Sequence, residues 1–183
     1  GSIEKNKPLL AGLPSKKVFA VIGAAWKEKM WPSEHWCDLI KELVNDGYGV
    51  VLNGHGELEM EIASKIEREV CSRAVLNLVD KLSFSDMAAV SNMCTIAVGN
   101  DTGPLHLAAL QGIPAIGFFG AIRPQSVGYL MPWFSPVYST CYMVGCGLSK
   151  ECPRRRKTCL NSVTPQRVKT VFDRMISAGT LVK

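Results

Sequence analysis

The stretch VGNDTGPLHLAALQGIPAIGFFG, residues 98–120, sets Asp101, Thr102, Gly103, Pro104 and His106 between two apolar runs. Together these residue types can bind an anion. A helix opening directly after a strand presents unpaired N–H groups and a partial positive charge, which suits phosphate. Gly103 removes a side chain where phosphate must approach backbone, and Thr102 brings a hydroxyl donor. Pro104 presets the first helical residue without losing a needed donor, and His106, within the first turn, can aim a ring nitrogen at the same anion. Asp101 is better suited to accept from sugar hydroxyls or from the N–H groups of its own turn. A plainer reading, a turn and cap with His106 packed in the core, fits the same residues, and spacing alone leaves both open.

Three further clusters invite the same double reading. GAAWKEKMWP, residues 23–32, offers Lys29 as a fixed positive charge for a second phosphate, with Trp31 and Pro32 pinning its loop. A solvated lysine in a charged loop fits equally. NGHGE, residues 53–57, offers Glu57 as an acceptor for ribose hydroxyls, or simply as a carboxylate favoured by its helix dipole. Cys141, Cys146, Cys152 and Cys159 crowd one stretch and can close a tetrahedron of thiolates around zinc, although their spacing is looser than the paired cysteines of structural zinc sites. Packed free thiols, or disulfides formed after purification, are the other readings. PRRRK, residues 153–157, lies in the same stretch and can meet an anionic membrane surface or serve as a solvated basic loop.

What must hold these residues is an alternation of strands and helices. Apolar, β-branched runs at 16–24, 48–54, 74–80, 94–100 and 114–120 predict strands. Helices are predicted at 32–47, 57–70, 83–93, 105–112 and 164–179, with Ser83 and Thr164 as N-caps and Gly47 and Gly112 as stops. Near-continuous apolar strands need cover on both faces, so the expected class is α/β: a doubly wound parallel sheet, Rossmann-like. Right-handed crossovers then bring 23–32, 53–57 and 101–106 to one sheet edge, where ligands of such sheets bind. Residues 121–163 break the alternation, with SPVYST, 135–140, as one further strand. Gly1-Ser2 reads as a cloning scar, residues 1–15 as tag scar and linker, and 16–183 as one domain that includes the Cys-rich loop 141–159 and the helix 164–179.

Composition narrows the function. With 183 residues, 47% hydrophobic and 20% charged, the chain can bury one full core. A formal charge of +5 favours anionic partners but is too mild to imply nucleic acid. No apolar stretch is long enough to cross a bilayer, and the N-terminus has no apolar signal core. Neither G-x-G-x-x-G after the first strand nor G-x-x-x-x-G-K-[ST] occurs, which argues against a nicotinamide or flavin cofactor and against a P-loop nucleotidase. No cofactor is expected.

GNDTGPLHLAALQGIPAIGFFG, with K-x-W-P upstream at Lys29–Pro32, resembles glycosyltransferase family nine, the ADP-heptose:lipopolysaccharide heptosyltransferases. NGHGE resembles that family's Gly-Gly-x-x-Glu turn, DKLSFSDMAAV its Lys-x-Ser-Leu helix start, and the segment from Cys141 through CLNSVTPQRV its Cys-rich segment and following helix start. The resemblance runs over most of 16–175. It implies the C-terminal, donor-binding Rossmann-like half of a two-domain GT-B enzyme. That enzyme passes heptose to inner-core lipopolysaccharide with inversion and without an essential metal. On this resemblance Lys29, Asp101, Thr102, Gly103 and His106 hold the diphosphate and sugar of ADP-heptose, Glu57 holds the ribose, and Leu82 lies against the adenine. The acceptor, a lipopolysaccharide precursor, would be met by a missing N-terminal domain, in a cytoplasmic protein peripheral on the inner membrane.

Two departures bear on this. Ala24 and Ala25 stand where the family often has hydroxyl residues, leaving backbone N–H groups to serve the phosphate. The family's N-terminal aspartate motif, which supplies the general base, has no counterpart, so the expectation is a fragment that binds donor without turning it over. A non-catalytic nucleotide-sugar-binding module, a transferase for another nucleotide-sugar, and a zinc-organised module stand as alternatives.

Overall fold

A computed structural model describes residues 2–123, 131–141, 144–147 and 159–179. Six strands form one sheet: β1 (Lys17–Val21), β2 (Gly49–Asn53), β3 (Val75–Asn77), β4 (Ile96–Asn100), β5 (Ala115–Phe119) and β6 (Phe134–Tyr138). Every pairing is parallel, and the order is β3-β2-β1-β4-β5-β6. This is the doubly wound Rossmann arrangement, in which strand order reverses between β1 and β4 and opens a crevice beyond their C-terminal ends.

Successive strand residues point to opposite faces, and each face has its own core. On one face Val18, Ala20, Val50, Leu52, Ile96 and Val98 meet α2 (Ser33–Asn45), α3 (Glu57–Val70) and α6 (Pro165–Ser177) through Trp36, Ile40, Ile66 and Phe172. On the other, Phe19, Val21, Val51, Ala97 and Ala115 meet α1 (Ser2–Leu10), α4 (Phe84–Asn92) and α5 (Gly103–Leu110) through Leu10, Val90, Leu105 and Ala109. The β1–β4 seam is tight: a Cβ on Gly99 would fall 2.5 Å from the Val21 carbonyl oxygen, so a side chain there would push the two strands apart.

The expected elements form, with ends shifted by a few residues. Ser83 Oγ accepts from the Asp86 N–H at 3.2 Å and Thr164 Oγ1 from the Arg167 N–H at 3.4 Å, as N-caps do. SPVYST supplies β6. The difference lies at the N-terminus. Within residues 1–15, read as scar and linker, Ser2–Leu10 forms α1 and buries Asn6 and Leu10. Asn6 Nδ2 donates to Asp86 Oδ1 at 2.8 Å and Lys5 Nζ to Asp86 Oδ2 at 2.9 Å, fastening α1 to α4. Asp86 therefore has a carboxyl held far below its ordinary range, by Ser83 first, then Asn6 and Lys5.

Candidate functional site

β1 and β4 end side by side at the switch point, and Asn100 ties the loops that follow them. Its Nδ2 donates to the carbonyls of Ile22 at 2.8 Å and Gly23 at 3.2 Å, and its Oδ1 accepts from the Trp31 N–H at 2.9 Å. Trp31 is 1% exposed, packs on Phe118 and Trp36, and donates Nε1–H to the Val163 carbonyl at 2.6 Å. Lys29 sits two residues earlier, in a single 3-10 turn over Lys27–Lys29.

This scaffold brings three predicted residues together. Lys29 Nζ donates to Asp101 Oδ2 at 2.9 Å, and His106 Nε2 bonds Asp101 Oδ1 at 2.7 Å. The Asp101 side chain is only 4% exposed. Burial pushes its carboxyl up, but hydrogen bonds and charge from His106 and Lys29 outweigh that and hold it below its ordinary value. An ionised Asp101 thus fixes one edge of the imidazole and one proton of the ammonium. A lysine ammonium has three protons, so two remain for an incoming anion.

Asp101 and Asp86 share one pH dependence. Each carboxyl titrates lower in the folded chain, so each adds stability that is complete above the unfolded value, near 3.8, and lost as pH falls toward the folded one. The melting temperature is expected to fall on acidification below about pH 4, and to fall less in Asp86→Asn. Thermal melts from pH 7 to pH 3 check this. Equal acid sensitivity in the two proteins would contradict it.

Thr102 opens α5 as its N-cap residue, with its hydroxyl directed to the Asn100 carbonyl at 3.3 Å rather than to a helix N–H. A Cβ on Gly103 would meet no atom within 4 Å, so the backbone there faces open space. The turn 101–104 also borders a cavity of about 460 Å³ along the same sheet edge. Thr102 and Pro104 line one end, Gly23, Ala24 and Ala25 the side after β1, and Asn53–His55, Asp80, Leu82 and Met87 the far end. Lys29 and Asp101 instead line a small cleft against Phe118–Ile122 and Leu160. Cavity and the Lys29–Asp101–His106 cluster thus meet at one turn, an apolar and carboxylate-bearing volume beside an ammonium and an imidazole.

Leu82 lines the cavity. Glu57 does not line it: it is the exposed first residue of α3. The carboxylates that line the cavity are Asp80 and Glu59, the latter 8% exposed and packed so closely that a Cβ on Gly23 would come within 2.9 Å of its Oε1. A signal for it exists in the sequence, since Glu59 is in phase with Ile62, Ala63 and Ile66, the buried stripe of α3. Asp80 lies at the rim in a left-handed conformation, φ +59°, accepts the Gly56 N–H at 3.0 and 3.2 Å, and pairs with His55 at 2.5 Å.

Cys152 and PRRRK lie outside the described residues, so the four-cysteine set is not assembled among them. Among the described residues no group of three or more His, Cys, Asp or Glu is placed to hold a metal. Cys159 Sγ occupies the space a side chain on Gly120 would need, and Ser139 Oγ donates to the Cys159 carbonyl at 2.8 Å, packing this segment under the β5 loop. No helix among the described residues is long and apolar enough to cross a membrane.

Sheet order and site together define a Rossmann-like unit with its ligand edge at the β1–β4 switch point. The family model for glycosyltransferase family 9 (heptosyltransferase) matches residues 3–162, and the chain belongs to that family. It is 30% identical over 129 residues to lipopolysaccharide heptosyltransferase 2 of Salmonella typhimurium, a match covering 68% of this chain and 34% of that one. Its fold resembles E. coli ADP-heptose lps heptosyltransferase II, with TM-score 0.79 and 21% identity over 97% of this chain and 52% of that one. It also resembles E. coli heptosyltransferase WaaC with ADP, with TM-score 0.71 and 24% identity over 91% of this chain and 47% of that one. The chain thus spans about half the length of these solved relatives.

Proposed function

We propose that this chain is the donor-binding, C-terminal half of a GT-B heptosyltransferase that moves heptose from ADP-heptose to the inner core of lipopolysaccharide at the cytoplasmic face of the inner membrane. The observation that carries the reading is the Lys29–Asp101–His106 cluster at the mouth of α5, beside a cavity of nucleoside size. The relatives supply the ligand: one is named for ADP-heptose and another was solved with ADP.

In this reading the diphosphate lies between Lys29 Nζ, His106 and the backbone N–H groups of Thr102 and Gly103. Ribose hydroxyls donate to Glu59, and adenine lies against Leu82. Inverting transfer is an in-line displacement in which the acceptor hydroxyl attacks the anomeric carbon while the bond to the diphosphate oxygen breaks. The leaving diphosphate gains negative charge, which preorganised N–H groups and cations stabilise. Asp101 is not free to take the hydroxyl proton, being hydrogen-bonded on both oxygens. In this reading the base, like the acceptor site, belongs to the part of the solved relatives' length that this chain does not span. Calorimetric titration tests the reading with ADP-heptose, ADP and UDP-glucose. ADP and ADP-heptose are expected to bind and UDP-glucose to bind at least about tenfold more weakly, a gap of ~1.4 kcal/mol. Equal affinity for all three would refute the adenine assignment.

A further inference from the structure

We propose that Asn100 is a positioning residue, whose carboxamide sets the distance between Lys29 and Asp101 and so makes the cradle competent for a diphosphate. The inference rests on the donor-binding reading above and adds to it a residue that need not touch the ligand. Lys29 and Asp101 belong to loops 72 positions apart in sequence, following different strands. Backbone pairing fixes those strands only as far as Val21 with Gly99. Beyond that point, and apart from the Lys29–Asp101 bond itself, one side chain, fully buried and using both ends, supplies three hydrogen bonds that join the two loops. The Asn100 amide takes the carbonyls of Ile22 and Gly23, and its oxygen takes the N–H of Trp31, so the loop is held on both sides of Lys29. Trp31 is itself anchored in the core. A lysine on an untethered loop would lose its fixed approach to Asp101 and spend binding free energy on ordering the loop.

The chemistry of the carboxamide gives a direct test. Asn100→Asp keeps the shape but replaces the N–H donor. Ionised, the carboxylate would face the carbonyl oxygens of Ile22 and Gly23 and repel them. Protonated, it can donate to one of them and still accept from Trp31. Burial raises the pKa of such a carboxyl, so this switch falls within reach of ordinary buffers. The ionisable groups around it are Asp101, Lys29, His106 and, against Gly23, Glu59. They are common to both proteins, as is the titration of ADP itself, so the readout is the ratio of wild-type to variant affinity at each pH.

Titration of the whole chain with ADP at pH 9, 7 and 5 is expected to show Asn100→Asp weaker by about tenfold or more at pH 9, with the ratio closing toward about one at pH 5. Parallel wild-type and variant profiles would overturn the proposal, since a merely structural role leaves the ratio unchanged with pH in folded protein. Amide hydrogen exchange at Lys29 and Trp31 is the second readout: fast in Asn100→Asp at pH 9, slow at pH 5 relative to the intrinsic rate. Asn100→Ser, should the aspartate variant fail to fold, is expected to lose the same protection and about tenfold in ADP affinity, and retention of both would equally overturn the proposal. If wild-type protein fails to bind ADP while the exchange pattern follows Asn100, the donor-binding reading fails and the tether stands.

Discussion

Lys29→Ala is expected to lower ADP affinity by about 100-fold, close to 3 kcal/mol, the scale of losing one partner of a largely desolvated ion pair. Two losses combine. The phosphate forfeits its ammonium, and Asp101, 4% exposed, keeps its negative charge beside the incoming anion with only His106 to offset it. The two separate in Lys29→Ala/Asp101→Asn, where the uncompensated carboxylate is gone. That double variant should regain thermal stability lost by Lys29→Ala without recovering wild-type affinity, because the missing cation is not replaced. His106→Ala should weaken ADP by about tenfold, since one hydrogen-bonding ring is removed and Lys29 remains. Calorimetry and melting curves on the same samples check all three. Full affinity in Lys29→Ala would place the phosphate elsewhere.

Trp31→Ala should be the most destabilising change at this edge, by about 3–5 kcal/mol, the range for removing a large aromatic from a packed core. Trp31 touches two structural units at once. Its ring lies 4.5 Å from that of Phe118 and 5.0 Å from that of Trp36, and its N–H holds the Val163 carbonyl just before α6. Trp31→Phe keeps most of the ring contact and leaves that carbonyl without its donor, so its cost should be near 1–3 kcal/mol. Denaturant unfolding of the three proteins orders them wild type, Phe, Ala. A Phe variant as unstable as the Ala variant would assign the hydrogen bond, rather than the packing, the larger share.

The sheet was legible because its strands are apolar throughout, a pattern that parallel sheets covered on both faces require. The 101–106 turn was legible for a different reason, since Gly103, Pro104 and His106 are informative one by one. What escaped detection depended on phase or on distance along the chain. Glu57 and Glu59 are two residues apart and therefore roughly 200° apart around a helix, so one faces solvent and the other the cavity. The helical stripe, rather than the turn motif, tells which of the two is buried. The helix α1 was hidden because SIEKNKPLL contains Pro8 and is anchored partly by a buried asparagine, neither of which gives an apolar period. Asn100 gave no local signal, because its partners are 69 to 78 residues away. Asn100 became visible only once the sheet had brought β1 and β4 together.

The measurement that tests the account most directly is a crystal structure of this chain soaked with ADP. The account predicts phosphate oxygens within hydrogen-bonding distance of Lys29 Nζ and of the backbone N–H groups of Thr102 and Gly103, ribose hydroxyls on Glu59, and the base against Leu82. ADP bound with its phosphates at another edge of the sheet, with Lys29 and His106 still bonded to Asp101 and to no phosphate, would contradict it.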